Sequence, residues 1–196
     1  MNYSTTIKSR PFLFNEEKKV INLYFKGFNP DNIKEKIIDE DIFKYNSKNR
    51  KKEIASTTLK RLDVLDEFLV NEFMQSSLAE QKFIVLYTII KTDRLFFEFM
   101  IEVFREKYLV NDFELKDYDF ESFFSEKAIQ SERVANWQDY TYYKLKQVYI
   151  RILFEAGLIN NQEDRKIIRP IVAKEITDHL IAIGDEIYAK ALLGVI

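Results

Sequence analysis

Asp139-Tyr-Thr-Tyr-Tyr-Lys-Leu-Lys-Gln-Val-Tyr-Ile-Arg-Ile-Leu-Phe-Glu-Ala-Gly157 places apolar side chains at Tyr142, Leu145, Val148, Tyr149, Ile152, Leu153 and Ala156. Recurrence every three or four residues predicts one long amphipathic helix. Gly157 is the expected stop, because only glycine enters the left-handed region cheaply. Asp139 or Thr141 is the expected N-cap, after the polar, turn-like Trp137-Gln-Asp-Tyr-Thr141. Beyond the stop, Leu158-Ile159 and Lys166-Ile-Ile-Arg169 flank the polar loop Asn160 to Arg165, which suggests a small β-hairpin. Helix, turn, long helix and hairpin is the order of a winged helix, so this stretch points to a mainly α fold with that hairpin as a wing.

Working outward, the same periodicity continues in both directions. Asn15 followed by an apolar-periodic run to Lys26 and Gly27 reads as a capped helix. Asn29-Pro30 opens a second, ending near Asp41, since proline is tolerated in the first turn. Asn46 or Ser47 starts a third, expected to run to Leu69 with Ile54, Thr58, Leu62, Leu65 and Leu69 on one face. Three helices in this order, the third basic, resemble a helix-turn-helix unit. Ser77-Leu-Ala-Glu80 is a capping box for a helix to about Thr92. Asp93 is placed to cap a Phe-rich helix to about Leu109, and these two apolar helices are the expected buried centre. A further helix is expected from Asp117 to about Gln130, and helix again from Val172 to Ile196 with a break at Gly184. The expected architecture is a compact multi-helix domain over 1–196, or two lobes at 1–76 and 77–196.

Composition narrows the function classes. Only four Gly and three Pro are present, too few for the many tight turns of a β-sandwich or barrel. With no Cys there are no disulfides, no thiol nucleophile and no cysteine-ligated metal. Met1 to Arg10 lacks the apolar core of a secretion signal, and the apolar run Phe83 to Ile90 is too short to span a bilayer, so a cytoplasmic location is expected. His179 is the only histidine, and no Ser lies near it in sequence, so a structural role is expected for it. Gly27, Gly157, Gly184 and Gly194 stand apart, so no phosphate-cradling loop exists. The expectation is a protein that is not an enzyme, with no cofactor, no metal, no membrane and no small-molecule substrate.

Charge is distributed unevenly beneath a net −2. Lys44, Lys48, Arg50, Lys51, Lys52, Lys60 and Arg61 face one acid, Glu53, whereas Asp112 to Glu126 holds six acids against Lys116. On the third helix Asn49, Lys52, Ser56 and Lys60 share the face opposite the apolar stripe, with Arg50, Thr57 and Arg61 beside it. Lys and Arg mixed with Ser, Thr and Asn is the side-chain set that contacts phosphate oxygens. A solvated helix face is the competing reading. On the helix ending at Gly157, Lys144, Gln147 and Arg151 lie opposite the core stripe. Arg165, Lys166 and Arg169 belong to the wing. Tyr140, Tyr142 and Tyr143 could stack on bases, although tyrosines at this spacing more often belong to a core or its rim. The candidate nucleic-acid-binding set is therefore Lys48, Arg50, Lys51, Lys52, Lys60, Arg61, Lys144, Arg151, Arg165, Lys166 and Arg169.

Val134 to Gln147, leading to Ile152-Leu-Phe-Glu-Ala-Gly-Leu158, resembles the BrxA family, the small accessory component of bacteriophage exclusion (BREX) defence systems. Trp137, Thr141, Lys144 and Glu155 to Leu158 fit its pattern. So, in order, do Ser9-Arg-Pro-Phe12, Thr58-Leu-Lys-Arg-Leu62, Ile90-Lys-Thr-Asp-Arg-Leu95 and Tyr188-Ala-Lys-Ala-Leu-Leu-Gly194. The resemblance implies a helical protein, similar in part to NusB-type RNA-binding folds, that binds nucleic acid and supports phage restriction without catalysis of its own. Duplex DNA is the expected ligand, with RNA as the alternative, and other BREX components are the expected protein partners. A protein–protein adaptor using the acidic stretch is the rival reading.

Overall fold

A computed structural model describes residues 2–194. In chain order it comprises α1 (Phe14–Phe25), α2 (Pro30–Ile38), α3 (Lys48–Leu62), α4 (Glu67–Gln75), α5 (Leu78–Thr92), α6 (Arg94–Phe99), α7 (Arg105–Leu109), α8 (Asp117–Gln130), α9 (Glu132–Ala135), α10 (Asp139–Ala156), α11 (Lys174–Ala182) and α12 (Glu186–Leu193). A 3-10 turn (Thr6–Lys8) precedes α1, and a π-helical stretch (Met100–Phe104) joins α6 to α7. The fold is mainly α, as the periodicity predicts. Val195 and Ile196, the end of the expected closing helix, lie outside the described residues.

Local chemistry sets most boundaries. The Asn29 side chain accepts from the Asn32 N–H at 2.9 Å, with Pro30 in the first turn of α2. Ser77 and Glu80 form the reciprocal capping box of α5. Asp93 accepts from the Phe96 N–H at 3.0 Å and so starts α6. Gly157 ends α10 at φ 82°, and Gly184 separates α11 from α12 at φ 83°. Three expectations are corrected. Leu13, at φ 53°, holds the N-cap position of α1 in place of Asn15, and no side chain caps there. The helix expected from Ser47 to Leu69 is two, because Asp66 accepts from the Leu69 N–H at 2.9 Å and begins α4. Its apolar stripe survives the break, with Ile54, Thr58, Leu62, Leu65 and Leu69 all buried. Finally, neither Asp139 nor Thr141 caps α10. Gln138 holds that position, and Asp139 sits in the first turn, where its charge suits the helix dipole.

The core is one cluster of apolar side chains running from Tyr3 to Leu193. Helix α5 lies at its centre, with Phe83 through Ile90 buried and with α1, α3, α4, α6, α10 and α12 packed around it. Beside it Phe99 stacks on Phe120 at 4.9 Å and meets Phe123 and Tyr149 at 5.4 and 5.2 Å, so α6, α8 and α10 share one aromatic block. Lys127, almost fully buried on α8, is neutralised by Glu98 at 2.8 Å and Glu102 at 2.6 Å. Glu98 also accepts from the Tyr3 hydroxyl at 2.8 Å, which fastens the N-terminal segment to this block.

The suggested hairpin is present only as isolated antiparallel bridges. Ile159 pairs with Ile167, and Lys166 pairs with Glu114 from the segment before α8. The second arm of the wing is thus the middle of three short extended pieces, held by Ile168 N–H to Leu158 C=O at 2.8 Å and Ile167 N–H to Phe113 C=O at 2.9 Å.

The Tyr149 hydroxyl is fully buried and has no hydrogen-bond partner among the described residues. Burial holds its pKa well above the ordinary phenol value. An orphaned buried hydroxyl costs about 1–3 kcal/mol. Tyr149→Phe is therefore expected to raise stability by about 1 kcal/mol in urea unfolding, with the m-value unchanged; a loss of stability would mean the hydroxyl is satisfied.

Candidate nucleic-acid interface

Helix α3 presents its polar face as its spacing predicts. Lys48, Asn49, Lys52, Ser56 and Lys60 are exposed. Lys48 and Lys52 have no side-chain partner among the described residues, whereas Lys60 Nζ donates to the Thr92 carbonyl at 3.0 Å. Lys51 is turned toward Asp41, at 3.1 Å, and its side chain is mostly covered. Arg50 lies over the Tyr45 ring at 5.6 Å and donates to the Ser9 carbonyl at 2.6 Å, with Glu53 at 3.5 Å.

Arg61 does not belong to this surface. It is 3% exposed, and its guanidinium donates to the carbonyls of Arg10, Pro11 and Phe12 at 3.1, 2.7 and 3.1 Å. Its ionic partner is Glu17 of α1, at 3.4 Å and fully buried. The reason is positional: Arg61 follows Thr58 by three residues and Ile54 by seven, so it stands on the apolar stripe of α3. Burial pushes the Glu17 carboxyl up to about 8, against the pull of Arg61.

On α10, Lys144 Nζ lies 5.3 Å from the Tyr140 ring and 5.5 Å from that of Tyr143. Gln147 fixes the group, accepting from Lys144 at 3.1 Å and donating to the Tyr143 hydroxyl at 2.8 Å. Tyr140 and Tyr143 are 65% and 51% exposed, so both rings are open to a ligand. Tyr142 is not: it is half-buried, and its hydroxyl donates to the Val134 carbonyl. Arg151 is exposed and paired with Glu155 at 2.7 Å.

Beyond α10, Lys166 and Arg169 are exposed. Arg165 is mostly covered and bound to Asp117 at 2.5 Å, so the wing's first cation is committed to the acidic stretch. That pairing, with Lys146 at 3.2 Å, also holds Asp117 below the usual carboxylate range.

Folding brings together cations that the linear pattern keeps apart. Arg50 from α3 and Arg151 from α10 line one open groove of about 670 Å³, together with Lys8 and Lys82. Phe14 and Phe154 supply apolar wall. Two carboxylates also line it: Glu16, which accepts from the Tyr45 hydroxyl at 2.7 Å, and Glu155, which pairs with Arg151 at 2.7 Å, so the four cations keep an excess of two. Lys8 and Lys82 each stand outside any basic run, so their place here follows from tertiary packing alone. Lys8 also reaches Thr141 of α10 at 3.5 Å.

His179 lies elsewhere, 2.6 Å from Asp66 and stacked at 4.1 Å on Phe68, where it ties α11 to α4. No helix among the described residues is long and apolar enough to cross a membrane.

The fold is shared with a crystal structure of an uncharacterized protein from Magnetospirillum magneticum, with a TM-score of 0.83 over 99% of this chain and 100% of that one at 19% identity. At that identity the likeness speaks for fold alone. A protein of Bacillus cereus (strain H3081.97) described as "BREX protein BrxA" is 54% identical over 193 residues, covering 98% of this chain and 96% of its own length. The BrxA family model matches residues 1–184. With nearly the whole chain matched by family model and relative alike, the protein belongs to the BrxA family.

Proposed function

We propose that the chain is a non-catalytic nucleic-acid-binding component of a BREX anti-phage defence system, with duplex DNA as its ligand. The observation that carries this reading is the convergence of Arg50, Arg151, Lys8 and Lys82 on one groove, beside the unpaired Lys48 and Lys52 of α3. Arginine forks and lysine point charges on an open groove suit phosphate oxygens, and such contacts position a duplex without reading its sequence. Competition between duplex DNA, single-stranded DNA and RNA across a salt series tests it. About five phosphate contacts give a log–log salt slope of roughly −4 to −5 on duplex DNA. Binding that ignores salt would remove this reading.

A second reading, single-stranded RNA, is favoured by the exposed Tyr140 and Tyr143 rings flanking Lys144. Base stacking on aromatic rings contributes about 1–3 kcal/mol per base and tolerates any sequence. Under this reading RNA wins the competition, and Tyr140→Ala with Tyr143→Ala removes the preference.

A further inference from the structure

Helix α8 has an outer side that no other described element covers. Tyr118, Ser122, Ser125 and Ile129 follow one another at helical spacing along it, and Tyr118 and Ile129 are 72% and 86% exposed. On one flank α8 and α10 part to leave a groove of about 410 Å³, walled mainly by Phe120, Phe124, Ala128, Tyr142 and Tyr143, with Glu121 and Lys146 also in its lining. On the other flank a second groove runs between α8 and the π-helical stretch with α7. Its lining includes Glu102, Glu106, Asp112, Asp119 and Glu126 against Lys107; Glu102 also pairs with Lys127 at 2.6 Å and Glu106 with Arg105 at 3.3 Å, so among the described residues five carboxylates meet three cations. Lys107 is already held between Asp112 and Asp119, each at 2.8 Å. The face therefore offers an apolar slot on one side of a helix and an excess of carboxylate on the other.

We infer that this face docks a partner protein of the BREX system through a basic amphipathic segment. An apolar side chain of that segment fills the α8–α10 slot, and its Lys or Arg residues meet the acidic wall across α8. Charge complementarity selects this occupant. A nucleic acid is repelled by the carboxylates, and a second copy of the chain would bring the same acidic wall against itself. Apolar anchors with a complementary charged rim are the usual anatomy of such contacts. The inference shares no residue with the Arg50–Arg151 groove, although Tyr143, which walls the slot, is also one of the two rings that the RNA reading uses.

The test is isothermal titration of the purified full-length chain against each of the other protein components of its BREX system, at low and high salt. One component is expected to bind, more weakly as salt rises. Ala128→Arg, which fills the slot from a half-exposed position, is expected to weaken that binding at least tenfold. Glu106→Lys with Glu126→Lys is expected to do the same from the acidic side. Both variants should keep the parent's melting temperature and its affinity for nucleic acid. Binding to none of the components overturns the inference, and so does binding that both variants leave intact. Loss of nucleic-acid binding in Ala128→Arg, or a concentration-dependent dimer of the parent that Ala128→Arg abolishes in sedimentation, assigns the face to a different occupant and also overturns it.

Discussion

Arg61→Ala is expected to lower the melting temperature by about 10 °C, the largest stability effect of any basic residue on α3. Its guanidinium satisfies three consecutive carbonyls of the segment entering α1 and is the ionic partner of the fully buried Glu17. Removing it orphans these three carbonyls, at about 1–3 kcal/mol each, and once Glu17 ionises near pH 8 it also leaves that buried charge without compensation. In a domain of this size each kcal/mol moves the midpoint by about 2–4 °C. The pH dependence gives an independent check. Glu17 is raised from 4.5 to about 8 in the folded protein, so the native state binds the extra proton. Stability from this group is present at low pH, falls as pH rises between those values, and is level above about 8. Without Arg61 the carboxyl moves higher still, so the deficit of Arg61→Ala should keep growing above pH 8. Calorimetry at pH 6 and pH 9 measures both effects. A shift of under 2–3 °C at both would mean that Arg61 is not a structural residue. Lys52→Glu, on the exposed face of the same helix, should stay within about 0.5 kcal/mol of the parent.

Arg61 also shows where sequence and structure part company. Helix positions were legible because the chain states them locally: Asn29-Pro30, the Ser77–Glu80 box, Asp93 and Gly157 act within one turn of themselves. The break between α3 and α4 was hidden because the buried stripe from Ile54 to Leu69 keeps helical spacing across it. Charge density counted Arg61 with the surface lysines, although its offset from Ile54 and Thr58 puts it on the apolar face. Glu17, one turn into α1, was the missing clue, since a buried arginine needs a buried carboxylate. The pairing of the wing's Arg165 is hidden for a similar reason: its partner Asp117 lies 48 positions away and no local pattern joins them. The groove itself could not be read from the chain. Lys8, Arg50, Lys82 and Arg151 become neighbours only when the 3-10 turn, α3, α5 and α10 pack together.

That groove carries the largest expected effect on binding. Arg50→Glu with Arg151→Glu is expected to weaken duplex DNA binding about 100-fold at 0.1 M salt. Each phosphate contact adds roughly 0.9 to the salt exponent, so at a tenfold dilution from 1 M two contacts are worth about 60-fold. Repulsion from the new carboxylates supplies the remainder. The slope should flatten by about 2 in the same titration, and the two curves should converge near 1 M salt. Arg151 is exposed with Glu155 as its ion-pair partner, whereas Arg50 also holds the Ser9 carbonyl and the Tyr45 ring, so the melting temperature should fall by a few degrees at most and is measured alongside. Arg165→Gln should weaken binding by less than about threefold, because its side chain is mostly covered as well as held by Asp117, whereas Arg151, also paired, stays exposed. Lys48→Glu with Lys52→Glu decides between the two basic surfaces. If the duplex lies in the groove, this pair costs less than Arg50→Glu with Arg151→Glu. A larger loss from Lys48 and Lys52 would move the duplex to the outer face of α3, and Arg151 would then have no part in holding it.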